Sequence, residues 1–359
     1  MPMWVQTMFW LLYMVVWVYA MRRTLMGSWG ERRKAGDATW LILLYFILYT
    51  VFYCGNPDYF RYREWIWGRS LEYWGKEEVY VNLVLFCRWL GVDYPFEVFR
   101  LIVWGGAVLL AFSTLRMGRG LLRPRMTLVM LFVFYANTFS YARASLAMGV
   151  YFLGIGLYLC RKGSLMKVLG LVLAMSSYYL HNEMIIGIVV LPCLFFGLER
   201  KRFSYLSLVF IGLMALAIWY VGSNLHFLDS MFDGDEMSSK IEHLNEKEQR
   251  RFRMSTLTSY LCYLYPFYLA MRRLWKGGGP RLITGMYRVS YGIVIVSVAF
   301  MLVMGARSVY AYRVLYMGMI PLSLMMGYFY CNGCLKKREW VLMMILGLLA
   351  NSVRFFNMN

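Results

Sequence analysis

The sequence predicts an all-α protein, a polytopic bundle of transmembrane helices. Hydrophobic residues occupy 60% of its 359 positions, which is above the roughly half apolar content of soluble domains. Apolar runs of about 20 residues, the length that crosses a bilayer, recur along the whole chain. Lysine and arginine concentrate in alternate connections between these runs. These observations predict one integral membrane domain over residues 1–359, with about 12 spans in a range of roughly 10 to 14.

The predicted spans follow the apolar runs in chain order. A further apolar stretch at 79–92 is interpreted as an interfacial or re-entrant helix. The first run lacks a basic start and a small-residue cleavage site, so no cleavable signal peptide is expected. The spans are placed at roughly 3–21, 38–54, 96–115, 126–141, 144–160, 165–181, 183–198, 203–222, 256–271, 286–305, 308–330 and 339–356.

The positions of the basic residues orient the bundle. Five of them, between Arg22 and Lys34, follow the first span, which predicts an external N-terminus. Alternation then places 23 of the 38 lysines and arginines in cytoplasmic connections and the C-terminus outside. The net charge of +19 is therefore interpreted as a positive-inside signature, and nucleic acid is not an expected partner.

The first of two longer segments predicted outside covers roughly 55–95. A turn ends at Asp58, and aromatic residues then alternate with charges that include Arg61 and Arg63. One interpretation is an aromatic belt whose arginines reach the lipid headgroups. The other is one wall of a cleft for a headgroup and a sugar, with Asp58 as its candidate for acid–base chemistry.

The second external segment covers roughly 223–255. Its acidic run at 233–236 lacks the spaced oxygen ligands of an EF-hand loop, so no metal site is predicted. A short charged helix follows, and Arg250 and Arg253 are candidates for contact with lipid headgroups. A solvated helix that covers the opening is the alternative.

A central hairpin brings two polar residues to the external face. The chain surfaces at Arg143, crosses as an apolar helix, turns at the basic residues 161–164 and returns to His181. The short turn before the eleventh span adds Arg307, Tyr310 and Arg313 to the same face. The alternatives are arginines that extend toward headgroups and a histidine that bonds to the backbone at a helix end.

The absence of their sequence motifs argues against several kinds of site. The sequence has no P-loop, no HExxH and no glycine-rich dinucleotide turn, and the cytoplasmic connections are too short for a nucleotide-sugar transferase domain. No cofactor and no metal is expected. Arginines at headgroup depth suit a pyrophosphate, because guanidinium groups stay charged and bind phosphate oxygens in pairs. A base for an acceptor hydroxyl would be His181 or Asp58.

Four stretches give the chain a resemblance to a known family. They are NPDYFRYREW, EEVYVNLVLFCRWLGVDYPFEVFR, YARASLAMGVYFLGIGLYLCRKG and LVLAMSSYYLHNEMIIGIVVLP. The chain is similar in them to the EpsG-type family of polysaccharide-synthesis membrane proteins, which are Wzy-like polymerases. In that family an Arg-Gln-like pair opens the central hairpin and a histidine closes it. The matching positions here are Arg143 and His181, with Ala144 in place of the glutamine.

The resemblance implies a glycosyltransferase, a GT-C-like polymerase that joins undecaprenyl-pyrophosphate-linked oligosaccharides outside the inner membrane, for capsule, exopolysaccharide or O-antigen. It implies as partners this lipid-linked substrate, membrane lipids and a chain-length regulator protein. A transporter or flippase of the same lipids is the main alternative. No internal repeat and no acidic residue or lysine well inside a span is evident, which favours the enzyme. A scaffold for other synthesis enzymes is a third possibility.

Overall fold

The computed structural model describes the chain as a set of helices joined by short turns. The described residues are 3–26, 36–52, 59, 62–64, 66, 78–91, 94–118, 120–136, 141–198, 209, 212–213, 216, 220, 254–304 and 309–356. Within these ranges the chain is helical apart from turns and connections, as the sequence predicted. Of the second predicted external segment, roughly 223–255, residues 223–253 lie outside the described residues.

The first three helices are α1 (Met3–Met26), α2 (Gly36–Phe52) and α3 (Glu78–Trp89). α1 and α2 coincide with the first two apolar runs and pack against each other. α3 coincides with the apolar stretch at 79–92 and packs against the first turn of the next helix.

The next two helices each contain a π-helical turn. α4 covers Pro95–Arg116, with the wide turn at Leu101–Gly105. α5 begins as Pro124–Met130 and continues as a π-helical turn over Leu131–Tyr135, whose five residues are all buried. Both helices start at a proline, which costs no hydrogen bond in a first turn because its missing N–H would have no helical partner there.

The hairpin of α6 (Ala142–Cys160) and α7 (Ser164–Leu180) is packed backbone against backbone. A Cβ added to Gly154 would lie 2.5 Å from the carbonyl oxygen of Gly170 and 2.6 Å from the amide nitrogen of Ala174. Only residues without larger side chains allow such an approach between helices. The close contact fixes the height of α7 relative to α6.

α8 (Ile185–Val190) is short and lies between two 3-10 turns, Asn182–Met184 and Leu191–Phe195. Two long helices follow, α9 (Met254–Gly277) and α10 (Arg281–Met304). α10 packs against α6 and α8, so a helix from the second half of the chain contacts the central hairpin through α6.

One span predicted as a continuous helix at 308–330 is divided in the structure. α11 (Val309–Tyr316) ends at a turn, and α12 (Met319–Cys331) begins after Gly318. The ring of Tyr263 packs directly against Gly318, in space that a Cβ would occupy. The glycine at this turn therefore leaves room for an aromatic ring from α9. The last helix, α13, covers Lys337–Phe356.

Helices from both ends of the sequence share the core. The side-chain amide of Asn351 in α13 donates to the hydroxyl of Tyr13 in α1 at 2.8 Å and to the carbonyl oxygen of Val133 at 3.4 Å. The indole N–H of Trp17 donates to the carbonyl oxygen of Met344 at 3.0 Å. α1, α5 and α13 thus form one buried unit with polar links inside it.

Four of the described helical segments are long and apolar enough to cross a membrane: Trp4–Leu25, Pro95–Arg116, Ala142–Cys160 and Arg281–Leu302. Several shorter apolar helices accompany them, among them α7 and α12. Together these helices indicate a membrane protein.

Candidate functional site

The hairpin places Arg143 and His181 at the same end of the bundle, here called the open end. Arg143 precedes Gly154 by as many residues as His181 follows Gly170, and the two helices touch at these glycines. At about 1.5 Å per helical residue, both lie roughly 16 Å from the crossing. The sequence-based expectation of a shared end is therefore met in the structure.

Arg143 is held by two tyrosines. Its Nε donates to the hydroxyl oxygen of Tyr62 at 2.7 Å, and its Cζ lies 5.6 Å from the Tyr62 ring centroid and 5.8 Å from that of Tyr80. The hydroxyl of Tyr80 also donates to the carbonyl oxygen of Arg143 at 3.4 Å. Cation–π contact favours a guanidinium near the rings, and the bond at Nε fixes its plane.

Tyr62 itself is anchored by neighbouring helices. Its side chain is buried, and its ring packs against Phe99 and Trp104 of α4 at centroid distances of 5.5 and 5.9 Å. Nε of Arg88 in α3 donates to the carbonyl oxygen of Ile66 at 2.8 Å. The described part of the first predicted external segment is thus packed onto the bundle next to Arg143.

His181 forms a second group with two charged residues. Its Nε2 lies 3.3 Å from Oε2 of Glu183, and Oε1 of the same carboxylate lies 3.2 Å from Nη1 of Arg313. The side chains of His181, Glu183 and Arg313 are 17%, 38% and 36% exposed, respectively. Glu183 thus connects α11 to the turn that follows α7.

Tyr141 links the two groups. Cζ of Arg313 lies 5.7 Å from the ring centroid of Tyr141, which in turn packs against Tyr316 at a centroid distance of 5.7 Å. Tyr141 is two residues before Arg143. Parts of the chain near residues 62, 80, 143, 182 and 313 therefore converge at the open end.

The surroundings of Glu183 favour its charged form. It lies in the 3-10 turn between α7 and α8, outside both helices. Burial raises the pKa of Glu183, but the hydrogen bond and charge of His181 and the charge of Arg313 lower it more, so that the pKa falls from 4.5 to about 2. Glu183 is therefore a carboxylate at neutral pH.

The remaining candidates from the sequence are placed only in part. Arg63 is exposed and adjoins Tyr62. Tyr310 lies in the backbone range of α11. The other candidates lie outside the described residues: Asp58, Arg61, Arg250, Arg253 and Arg307.

Three residues of the open end were missed by reasoning from the sequence. Tyr62 and Tyr80 belong to aromatic-rich stretches in which any ring could have been a membrane-interface residue. Glu183 follows His181 by two positions, and this proximity to a candidate base was the available signal. Nothing in the sequence indicated its contact with Arg313, which lies 130 residues away.

The open end combines guanidinium groups, an imidazole and a carboxylate. Such a set can bind an anionic group and can accept a proton. Among the residues that the structure describes, no cluster of three histidine, cysteine or acidic side chains is arranged to hold a metal ion.

Comparison with known proteins gives one match. A family model described as the EpsG family matches residues 38–358, a range that includes Tyr62, Arg143, His181 and Arg313. No curated protein and no solved structure matches the chain.

Proposed function

The chain belongs to the EpsG family of polysaccharide-synthesis membrane proteins, and from this we propose that it is a polysaccharide polymerase. Its substrates are undecaprenyl-pyrophosphate-linked oligosaccharides, and it joins their repeat units at the external face of the inner membrane. The observation that carries the proposal is the arrangement of Arg143: an oriented guanidinium at the same end of the hairpin as His181.

In the proposed reaction, an acceptor hydroxyl attacks the anomeric carbon of the donor sugar. A glycosidic C–O bond forms, and the bond between the anomeric carbon and the pyrophosphate oxygen breaks. Undecaprenyl pyrophosphate leaves with the electron pair of that bond, and the hydroxyl proton passes to the base. Oriented positive charge near the leaving oxygen lowers the barrier, because negative charge develops there in the transition state.

Arg143 is the residue proposed for the leaving pyrophosphate, since its guanidinium is oriented before substrate arrives. His181 is proposed as the base, and Asp58 remains the other candidate. Additional substrate contacts are proposed for the other residues that the sequence placed at this face: Arg61, Arg63, Arg250, Arg253, Arg307, Tyr310 and Arg313. The proposed reaction needs no metal ion, because arginine side chains supply the charge.

The proposal includes a finer topology. About 12 crossings form a GT-C-like bundle with both termini outside, and the shorter apolar helices provide crossings beyond the four long segments. The agreement of the described helices with the predicted apolar runs supports it. The proposed partners are membrane lipids and a chain-length regulator protein, in addition to the lipid-linked substrate.

A reconstitution experiment tests this function. Purified protein in liposomes receives lipid-linked repeat units, and product length is read on a gel. The wild type should give a ladder of polymers, and Arg143→Ala and His181→Ala should each reduce its rate of formation by about 100-fold or more.

The matched control is Arg161→Ala, which removes an exposed arginine from the opposite end of the same hairpin. It should leave the ladder unchanged. Wild-type protein that makes no polymer but moves lipid-linked sugars across the bilayer would replace the proposal with a carrier.

A further inference from the structure

The carboxylate of Glu183 uses its two oxygens on two different partners. Oε2 lies 3.3 Å from Nε2 of His181, and Oε1 lies 3.2 Å from Nη1 of Arg313. Building on the proposed function, we propose that Glu183 is a positioning residue for His181 and that Arg313 holds Glu183 in place. The three side chains then act as a unit in which only His181 meets the reacting hydroxyl.

The backbone around His181 is fixed on both sides. The amide of His181 donates to the carbonyl oxygens of Ser177 and Tyr178 at 3.2 Å, and its carbonyl oxygen accepts from the amide of Met184 at 2.9 Å. The residue is extended, with φ −163° and ψ 121°, between the end of α7 and the 3-10 turn. Because the main chain is held, the orientation of the imidazole depends on rotation of its side chain, which the contact with Glu183 restricts.

The contact also determines which nitrogen is basic. A carboxylate next to Nε2 favours the neutral tautomer that carries its hydrogen there, and the lone pair then resides on Nδ1. When Nδ1 takes the proton of the acceptor hydroxyl, the ring becomes an imidazolium whose charge Glu183 stabilises. The proton stays on Nδ1 and Glu183 remains a carboxylate.

Arg313 serves this arrangement from a distant part of the chain. Its Nη1 contacts Glu183, and its guanidinium carbon lies 5.7 Å from the Tyr141 ring. A guanidinium engaged by a carboxylate has part of its charge neutralised within the protein. The contacts therefore favour a supporting role for Arg313 over the direct substrate contact proposed for it from the sequence, and they leave Arg143 as the principal charge offered to the pyrophosphate.

The first test reads the tautomer directly. The chain contains three histidines, His181, His226 and His243, so ¹⁵N NMR of histidine-labelled protein gives few signals, and His181→Asn assigns the one of interest. In the neutral form, the wild type should favour hydrogen on Nε2 by roughly tenfold, and Glu183→Gln should reduce this preference to roughly threefold or less, since charge-assisted bonds are about twice as strong as neutral ones.

The second test uses kinetics on lipid-linked repeat units. Glu183→Gln should lower kcat by roughly 10-fold to 100-fold and change KM by less than about twofold, because the substrate is still bound but the base is poorly oriented. Glu183→Asp, which keeps the charge, should recover part of the rate. Arg313→Gln should act on kcat like Glu183→Gln, whereas a rise in KM alone would overturn the supporting role of Arg313.

The two proposals fail in different ways. If the wild type polymerises but Glu183→Gln leaves the His181 signals and kcat unchanged, the positioning role is overturned and the polymerase stands. If the wild type makes no polymer, the function is overturned, and the NMR comparison still decides the relation between Glu183 and His181. Should Glu183→Gln not fold, Arg313→Gln and Glu183→Asp provide the same spectroscopic test.

Discussion

Nε of Arg143 donates a hydrogen bond of 2.7 Å to the hydroxyl of Tyr62, a residue 81 positions earlier in the chain. This bond connects the start of the central hairpin to a segment that the sequence placed between the second and third spans. The guanidinium is therefore oriented by the hydroxyl of a buried tyrosine, and removal of that hydroxyl should slow the reaction of the substrate.

Tyr62→Phe tests the orientation of Arg143. It keeps the ring next to the guanidinium and removes the hydroxyl oxygen that accepts the hydrogen bond from Nε of Arg143. The rate of polymer formation should therefore fall by about 10-fold, which is the effect of losing one hydrogen bond to a charged group. The ladder assay measures this rate. Tyr80→Phe is the matched control, because the hydroxyl of Tyr80 donates to the backbone carbonyl oxygen of Arg143, at 3.4 Å, and it should have a smaller effect. Equal losses would contradict the orienting role of Tyr62.

Arg143→Lys separates charge from geometry. A lysine keeps the positive charge but cannot present the planar, two-pronged guanidinium to a pyrophosphate or bond to Tyr62 in the same way. We expect the rate of polymer formation by Arg143→Lys to stay below about a tenth of the wild-type rate. Full activity in the lysine variant would show that charge alone is sufficient.

Gly154→Ala tests the crossing of α6 and α7. The added methyl group would lie 2.5 Å from a backbone oxygen, and overpacking of this kind typically costs about 1–3 kcal/mol. Thermal unfolding in detergent should show a lower transition temperature. The control is Gly163→Ala in the turn of the same hairpin, where a Cβ meets no atom within 4 Å, so its transition should be unchanged.

Asn351→Ala tests the link between α1 and α13. Loss of the amide removes a buried donor to Tyr13, Gly347 and Val133, which should destabilise the protein by about 1–3 kcal/mol. Asn332→Ala removes an exposed amide that bonds to the carbonyl oxygen of Tyr328, and it should have little effect. A similar shift in both variants would argue against a special role for the buried amide.

The pH dependence of stability tests the charge of Glu183. Its pKa is lowered from 4.5 to about 2 in the folded protein, so the stability it contributes is present above about pH 4.5 and is lost as the pH falls toward 2. The difference in unfolding temperature between wild type and Glu183→Gln should follow the same course. If the difference in unfolding temperature between the two proteins grew below pH 4.5, a stabilising role for the charged form of Glu183 would be contradicted.

The arrangement of the central hairpin could be predicted because it depends on local features. Two apolar runs of suitable length flank the basic turn at 161–164, so antiparallel helices necessarily bring Arg143 and His181 to one end. The small residues Gly170 and Ala174, four positions apart, suit a close helix contact, and the structure places them against Gly154.

The partners of these residues could not be predicted, because they depend on contacts between distant parts of the chain. Tyr62 resembles any interfacial tyrosine in the sequence, and Arg313 resembles any arginine that reaches headgroups. The break at Gly318 was hidden for a related reason: the run from α11 to α12 is mostly apolar, and the ring that packs against Gly318 belongs to Tyr263 in α9.

The contact between Asn351 and Tyr13 joins residues 338 positions apart, and this separation sets an order of events during synthesis. At roughly 5–20 residues per second, the ribosome needs about 20–70 s after making Tyr13 to supply its partner amide. Throughout that interval the first helix resides in the membrane with its inner face incomplete. A chain whose synthesis stalls before α13 therefore leaves the hydroxyl of Tyr13 without the amide that contacts it in the folded protein.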